Sequence, residues 1–139
     1  MQKVLLKPLE DLWREPDHGI WEVRGARRAF THSRLMCWVA LDRSVKSCER
    51  FGLEGPVDRW RSLADEIRTD ICTHGYDAQR NTFVQYYGGT ALDASLLLIA
   101  QVGFLPADDP RVTGTVQAIE RELLRDGLLL RYSLSLIHI

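Results

Sequence analysis

The stretch "SRLMCWVALDRSVKSCERFG", residues 33–52, decides the fold class. Leu35, Trp38, Val39, Leu41 and Val45 recur at helical spacing and give one broad apolar face. Thr31 or Ser33 can cap the free N–H groups of the first turn. Gly52 suits the position just past the last turn, where a chain leaves a helix in a left-handed conformation. After a few residues Pro56, a residue suited to the first helical position, opens a second helix. Val57, Trp60, Ala64, Ile67 and Ile71 follow at steps of three and four, and Gly75 closes it.

Further along, "GYDAQRNTFVQYYGG", residues 75–89, changes character. Turn residues precede a short β-like run over 82–87, and two glycines follow, which predicts a long structured loop with a small hairpin. Loops of this length inside a compact domain are often functional. Helical signals resume over 91–102, where Thr90 and Asp93 resemble a capping box. Asp109 and Pro110 start a further helix over 110–125, lined by Val112, Val116, Ile119 and Leu123 and ended by Gly127. The order helix, helix, long loop, helix, helix is the rhythm of stacked helical hairpins, as in α-solenoids and α/α toroids. The expected class is all-α. Residues 133–139, "SLSLIHI", carry no cap, charge or helical stripe and are expected to lie outside the natural fold.

Bulk composition narrows the partners. The 139 residues are 45% hydrophobic and 27% charged, with a formal net charge of −1, so a core can form and neither nucleic acid nor an anionic membrane is the default partner. The longest apolar run, over 94–100, is far too short to span a bilayer. No basic segment followed by an apolar one opens the chain, so no signal peptide is visible. Cys37, Cys48 and Cys72 suggest neither a disulfide framework nor a zinc site. Free thiols in a reducing, cytoplasmic setting are expected.

The chemistry-bearing stretch is "PDHGIWEVRGARRAFTHSRLMCW", residues 16–38. Glu22 sits between Gly19 and Gly25, directly after Trp21 and just before a helix, where catalytic groups tend to stand. A glycosidic oxygen is a poor leaving group and needs a positioned proton donor. An adjacent indole would raise the carboxyl pKa, and Arg24, Arg27 or Arg28 would lower it if aimed at it. The competing reading is a surface glutamate paired with one of these arginines. Trp38 and Trp60 lie on apolar stripes and are expected in the core. Trp21, in a loop, could equally stack on a sugar. His18 and His32 have no third ligand at metal spacing. "GGTALD" lacks the lysine of a phosphate loop, and Ser33 and Ser95 lack a nucleophile-elbow context. Arg131, beside Tyr132, could fork two hydrogen bonds to vicinal hydroxyls or be an ordinary surface arginine.

Residues 19–43, "GIWEVRGARRAFTHSRLMCWVALDR", and residues 83–132, with the run "LDASLLL" and then "GFLPADDPR", together resemble glycoside hydrolase family 15. The resemblance covers roughly residues 9–132. It implies a partial (α/α)6 barrel made of helical hairpins with long functional loops, and inverting hydrolysis of α-glucosidic bonds without a cofactor or metal. By carry-over Glu22 matches the general acid and Trp21 the tryptophan beside it. Arg131 matches an arginine that binds sugar hydroxyls, and Arg24 is a weaker substrate contact. The expected partner is an α-glucoside or oligosaccharide. Inversion needs a second carboxylate about 6.5–9.5 Å from the first, and in this family that base comes far downstream of the acid. Residues 1–132 are therefore expected to be a fragment of the catalytic domain and 133–139 a non-native tail. The alternative is a non-catalytic all-α interaction module. As a fragment, the chain should leave some of Trp38, Leu41, Val45, Leu97, Ile99 and Val116 unusually exposed.

Overall fold

The computed structural model describes residues 2–21 and 25–132, with side chains from Leu6 onward. Helix α1, Gln2–Leu12, precedes anything the sequence signals indicate, and Pro8 inside it explains why the pattern is weak. Leu6 and Trp13 bury themselves at its inner side. Helix α2 is Thr31–Phe51 and helix α3 is Val57–His74. The two pack along their length as a hairpin. Gly52 turns the chain at φ 65°, the left-handed conformation expected of it.

The caps differ from expectation. Phe30, not Thr31 or Ser33, holds the N-cap of α2, and no side chain caps it. Thr31 is committed elsewhere: its N–H donates to the Gln85 carbonyl at 2.9 Å and its hydroxyl to the Val84 carbonyl at 2.6 Å. A long-range partner has replaced a local one. Pro56 likewise stands one place early, at the N-cap of α3.

The expected hairpin is present. Strands β1, Tyr76–Asp77, and β2, Thr82–Phe83, pair antiparallel, with Tyr76 opposite Phe83. The Asp77 carboxylate accepts from the Gln79 and Arg80 N–H groups and tightens the turn. The expected helix over 91–102 is much shorter. Residues 90–92 have no regular structure, Asp93 is extended, Ala94–Leu97 make one 3-10 turn, and only Leu98–Gln101, α4, are α-helical. Thr90 does not cap; its carbonyl accepts from Arg80. Asp93 caps instead, accepting from the Ser95 N–H at 2.6 Å.

Helix α5, Pro110–Leu123, opens as expected on Asp109, whose carboxylate accepts from the Arg111 N–H. It ends at Leu123, short of Gly127. Residues 124–129 instead form a second hairpin, β3 Leu124–Arg125 with β4 Leu128–Leu129. Asp126 at φ 50° and Gly127 at φ 80° make its two-residue turn.

One hydrophobic core joins α2, α3, residues 92–105 and α5. Trp60, Phe83, Phe104, Leu41, Ile67, Ile71 and Ile119 are fully buried within it. Trp38 meets Phe104 edge to face at 5.1 Å, a geometry that adds about 0.5–1.5 kcal/mol beyond area burial. The expected exposure occurs at one position only. Trp38, Leu41, Val45 and Ile99 are buried by the chain's own elements, and of the six only Val116 is exposed. Polar pins supplement the core. Buried Arg34 donates to the Arg14 carbonyl at 2.6 Å, and Tyr87 donates to Asp70 at 2.8 Å. Glu10 of α1 accepts from the Trp60 indole and from Arg59 of α3.

Candidate active site

Three loops meet at one end of the α2–α3 hairpin. The first leaves α1 and returns to α2. Asp17 and Arg28 exchange backbone hydrogen bonds at 2.9 and 2.7 Å, pinning its two ends side by side. At its neck the Asp17 carboxylate accepts from the Gly19 N–H. Gly19 is at φ 74°, and a methyl group there would come within 3.0 Å of the Phe30 ring. The second loop, residues 84–93, is stitched to the first by a Phe30–Tyr86 bridge and by the Tyr87 N–H donating to Ala29. Arg28 lies over the Tyr86 ring at 4.6 Å. The third, residues 130–132, joins the second where the Ala94 N–H donates to the Arg131 carbonyl at 2.8 Å and Asp93 bridges to Tyr132.

Asp93 sits at the junction and is only 3% exposed. One carboxylate oxygen accepts from the Trp21 indole N–H at 3.0 Å and from the Ser95 N–H; the other accepts from the Gln85 amide at 3.2 Å. A buried carboxylate with both oxygens engaged in this way is stabilised in place and is not free to activate water. The Arg131 guanidinium lies over the Trp21 ring, 5.5 Å from its centroid, and 5.7 Å from that of Tyr132.

Of the residues singled out from sequence, Trp21 and Arg131 therefore come together. Trp21 is half-buried and Arg131 exposed, so a platform and a fork of donors stand at the surface. Glu22 and Arg24 lie outside the described residues. Trp38 and Trp60 are core, as expected. Asp93 and Gln85 escaped the sequence reading as site residues. Asp93 carried only a local capping signal, and nothing in the sequence links it to an indole far along the chain.

His32 borders this cluster. Burial pushes its pKa below the ordinary value, although the Asp93 and Asp17 carboxylates pull it back up in part, so it is neutral near pH 7. Burial also raises the Cys37 and Cys72 thiols, which keeps them protonated. Among the described residues, no three His, Cys, Asp or Glu side chains cluster as a metal site requires, and no helix is long and apolar enough to cross a membrane.

The chain is mostly helical, with its loops gathered at one end of the α2–α3 hairpin, and has the fold of part of an (α/α)6 barrel. Solved structures described as "Glycosidase Wild Type" and as a glycosidase variant in complex with glucose superpose with a TM-score of 0.78 at 22% identity. The match covers 89% of this chain and 33% of theirs. The chain belongs to glycosyl hydrolase family 15, whose sequence model matches residues 1–135. Its relatives include proteins named trehalase. That of Mycobacterium tuberculosis is 59% identical, over 86% of this chain and 18% of its own length. That of Mycolicibacterium smegmatis is 54% identical over the same shares. The Thermoplasma acidophilum protein is 42% identical over 91% of this chain and 22% of its own length. The chain thus spans about a fifth of the length of the curated relatives it matches.

Proposed function

We propose that the chain is a segment of an inverting glycosidase that cleaves α-glucosidic bonds. In this reading residues 1–132 belong to the catalytic domain and residues 133–139 are a non-native tail. The observation that carries it is the convergence of Trp21 and Arg131 at one loop cluster, in a member of this family. Trehalose is the first substrate to test, because the relatives at 59% and 54% identity are named trehalases. Maltooligosaccharides and isomaltose-type bonds are the comparators. Three free thiols fit a reducing, cytoplasmic compartment.

Each residue has a role. Glu22 donates a proton to the glycosidic oxygen as the bond to the anomeric carbon breaks. The Trp21 indole, half-buried and beside Arg131, offers a sugar platform. Arg131 donates two parallel hydrogen bonds to vicinal hydroxyls, and Arg24 adds an auxiliary contact. A general base from outside residues 1–132 activates water on the opposite face, so the product forms with inversion. Asp93, with both oxygens engaged, is unsuited to that task. The chemistry calls for no cofactor.

The test is Glu22→Gln in the complete enzyme, which keeps the shape and removes the proton. The turnover number on trehalose should fall about 10²–10⁴-fold. A fall of less than about tenfold would remove Glu22 from the role of acid.

A further inference from the structure

We infer that Asp93 is a positioning residue that sets Trp21 and the Arg131 segment in register with one another, and so aligns the site proposed above; the inference rests on that reading. Two independent connections leave this one residue. Its side chain accepts from the Trp21 indole N–H at 3.0 Å. Its backbone, paired with Tyr132, and the next N–H, donated to the Arg131 carbonyl, hold the third loop. Gln85 and Ser95 fix the carboxylate from the other directions, so it cannot swing to follow a moving indole. The arrangement also accounts for the non-helical backbone over 90–93, where the sequence pattern favours helix. Were those residues helical, Asp93 could not pair with Tyr132.

The physical stake is preorganisation. A half-exposed indole beside a catalytic loop has two torsions to lose when substrate arrives. A charge-assisted bond to a buried carboxylate fixes them beforehand. In the reading proposed above Trp21 is itself a sugar platform, so its placement bears on how the substrate sits. Small misplacements of a catalytic group carry large rate penalties.

Asp93→Asn tests this, because it keeps the volume and one acceptor oxygen while removing the charge. The chain has four tryptophans and hence four indole N–H signals in a nitrogen-15 correlation spectrum. Trp21→Phe identifies the signal of Trp21. In Asp93→Asn that signal should move upfield and exchange faster with solvent, while those of Trp13, Trp38 and Trp60 stay in place as controls for the fold. In the unmodified chain the Trp21 N–H should exchange at least about tenfold slower than a free indole. An unshifted or unprotected Trp21 signal would overturn the inference. In the complete enzyme, Asp93→Asn should lower the turnover number about tenfold with little change in KM. Added to Trp21→Phe it should cost nothing further. Costs that multiply would mean that Asp93 acts by another route. A shifted Trp21 signal with unchanged turnover in both variants would leave the hydrogen bond standing and overturn the active-site reading instead.

Discussion

At His32 the balance of burial against charge sets a pH dependence. The folded-state pKa lies below the value of 6.5 for a free histidine, burial being the larger effect and the facing carboxylates of Asp93 and Asp17 the smaller. The unfolded chain therefore binds the proton more readily. The sign follows from linkage: the contribution is harmless above about pH 6.5 and turns increasingly destabilising as pH falls toward the lower folded value. Wild type should lose stability between neutral pH and about pH 5.5, and His32→Gln should lose less of it over the same window. Urea midpoints at the two pH values for both proteins check this. Equal losses in the two would mean that His32 does not titrate differently on folding. At this scale sequence was an uneven guide. Trp38 and Trp60 were legible as core because helical periodicity is local. Trp21 was not, because its partner Asp93 is distant in the chain and near only in space.

Helix α5 meets the β1–β2 hairpin through Gly114, where a methyl group would lie 2.0 Å from the Asn81 carbonyl oxygen and 2.4 Å from its side-chain nitrogen. Beside it the buried Thr115 hydroxyl accepts from the Phe83 N–H at 3.0 Å. Alanine favours helix over glycine by about 1 kcal/mol, so Gly114→Ala would stabilise an isolated helix. Here the clash is with backbone, and separating the two elements costs about 1–3 kcal/mol or more. The variant should be destabilised on balance, by a lower urea midpoint at unchanged slope; a rise in the midpoint would mean that the contact is loose. The same elements mark what was readable. Helices α2 and α3 announce themselves by stripe and stop, and Asp109 with Pro110 opens α5. The stretch 91–102 looked helical because Leu96 to Ile99 are apolar. Residues 90–93 are drawn out of helix by Gln85 and Tyr132, which no local window contains. Helix α5 stops two residues short of the expected 125 because Asp126 and Gly127 make a hairpin turn and Leu124 and Arg125 pair with Leu129 and Leu128 instead.

The described residues close much of their own core. Trp38, Leu41, Val45 and Ile99 are covered, whereas Phe51, Leu53 and Leu128 are at least half exposed. The fold class was legible in the sequence, whereas Trp21 and Arg131 were named there as candidates only. The loop junction that joins them was not legible, because it is built from backbone bridges that any sequence can make. If the general base comes from outside residues 1–132, the purified 139-residue chain should hydrolyse neither trehalose nor maltose, as glucose release would report. Turnover abolished by Glu22→Gln would overturn that division of labour.

The paired hydrogen bonds between Asp17 and Arg28 have a bearing on how such an enzyme could diversify. They make residues 18–27 a cassette whose two ends enter and leave the scaffold at a single point. Closing a longer loop costs only slowly more, about 0.6 kcal/mol for each doubling of length. In the proposed reading, inserts between Asp17 and Arg28 could therefore lengthen or reshape the loop end of the α2–α3 hairpin while the spacing of α1 and α2 stays fixed. Specificity could then drift in one short interval of sequence without asking the core to repack.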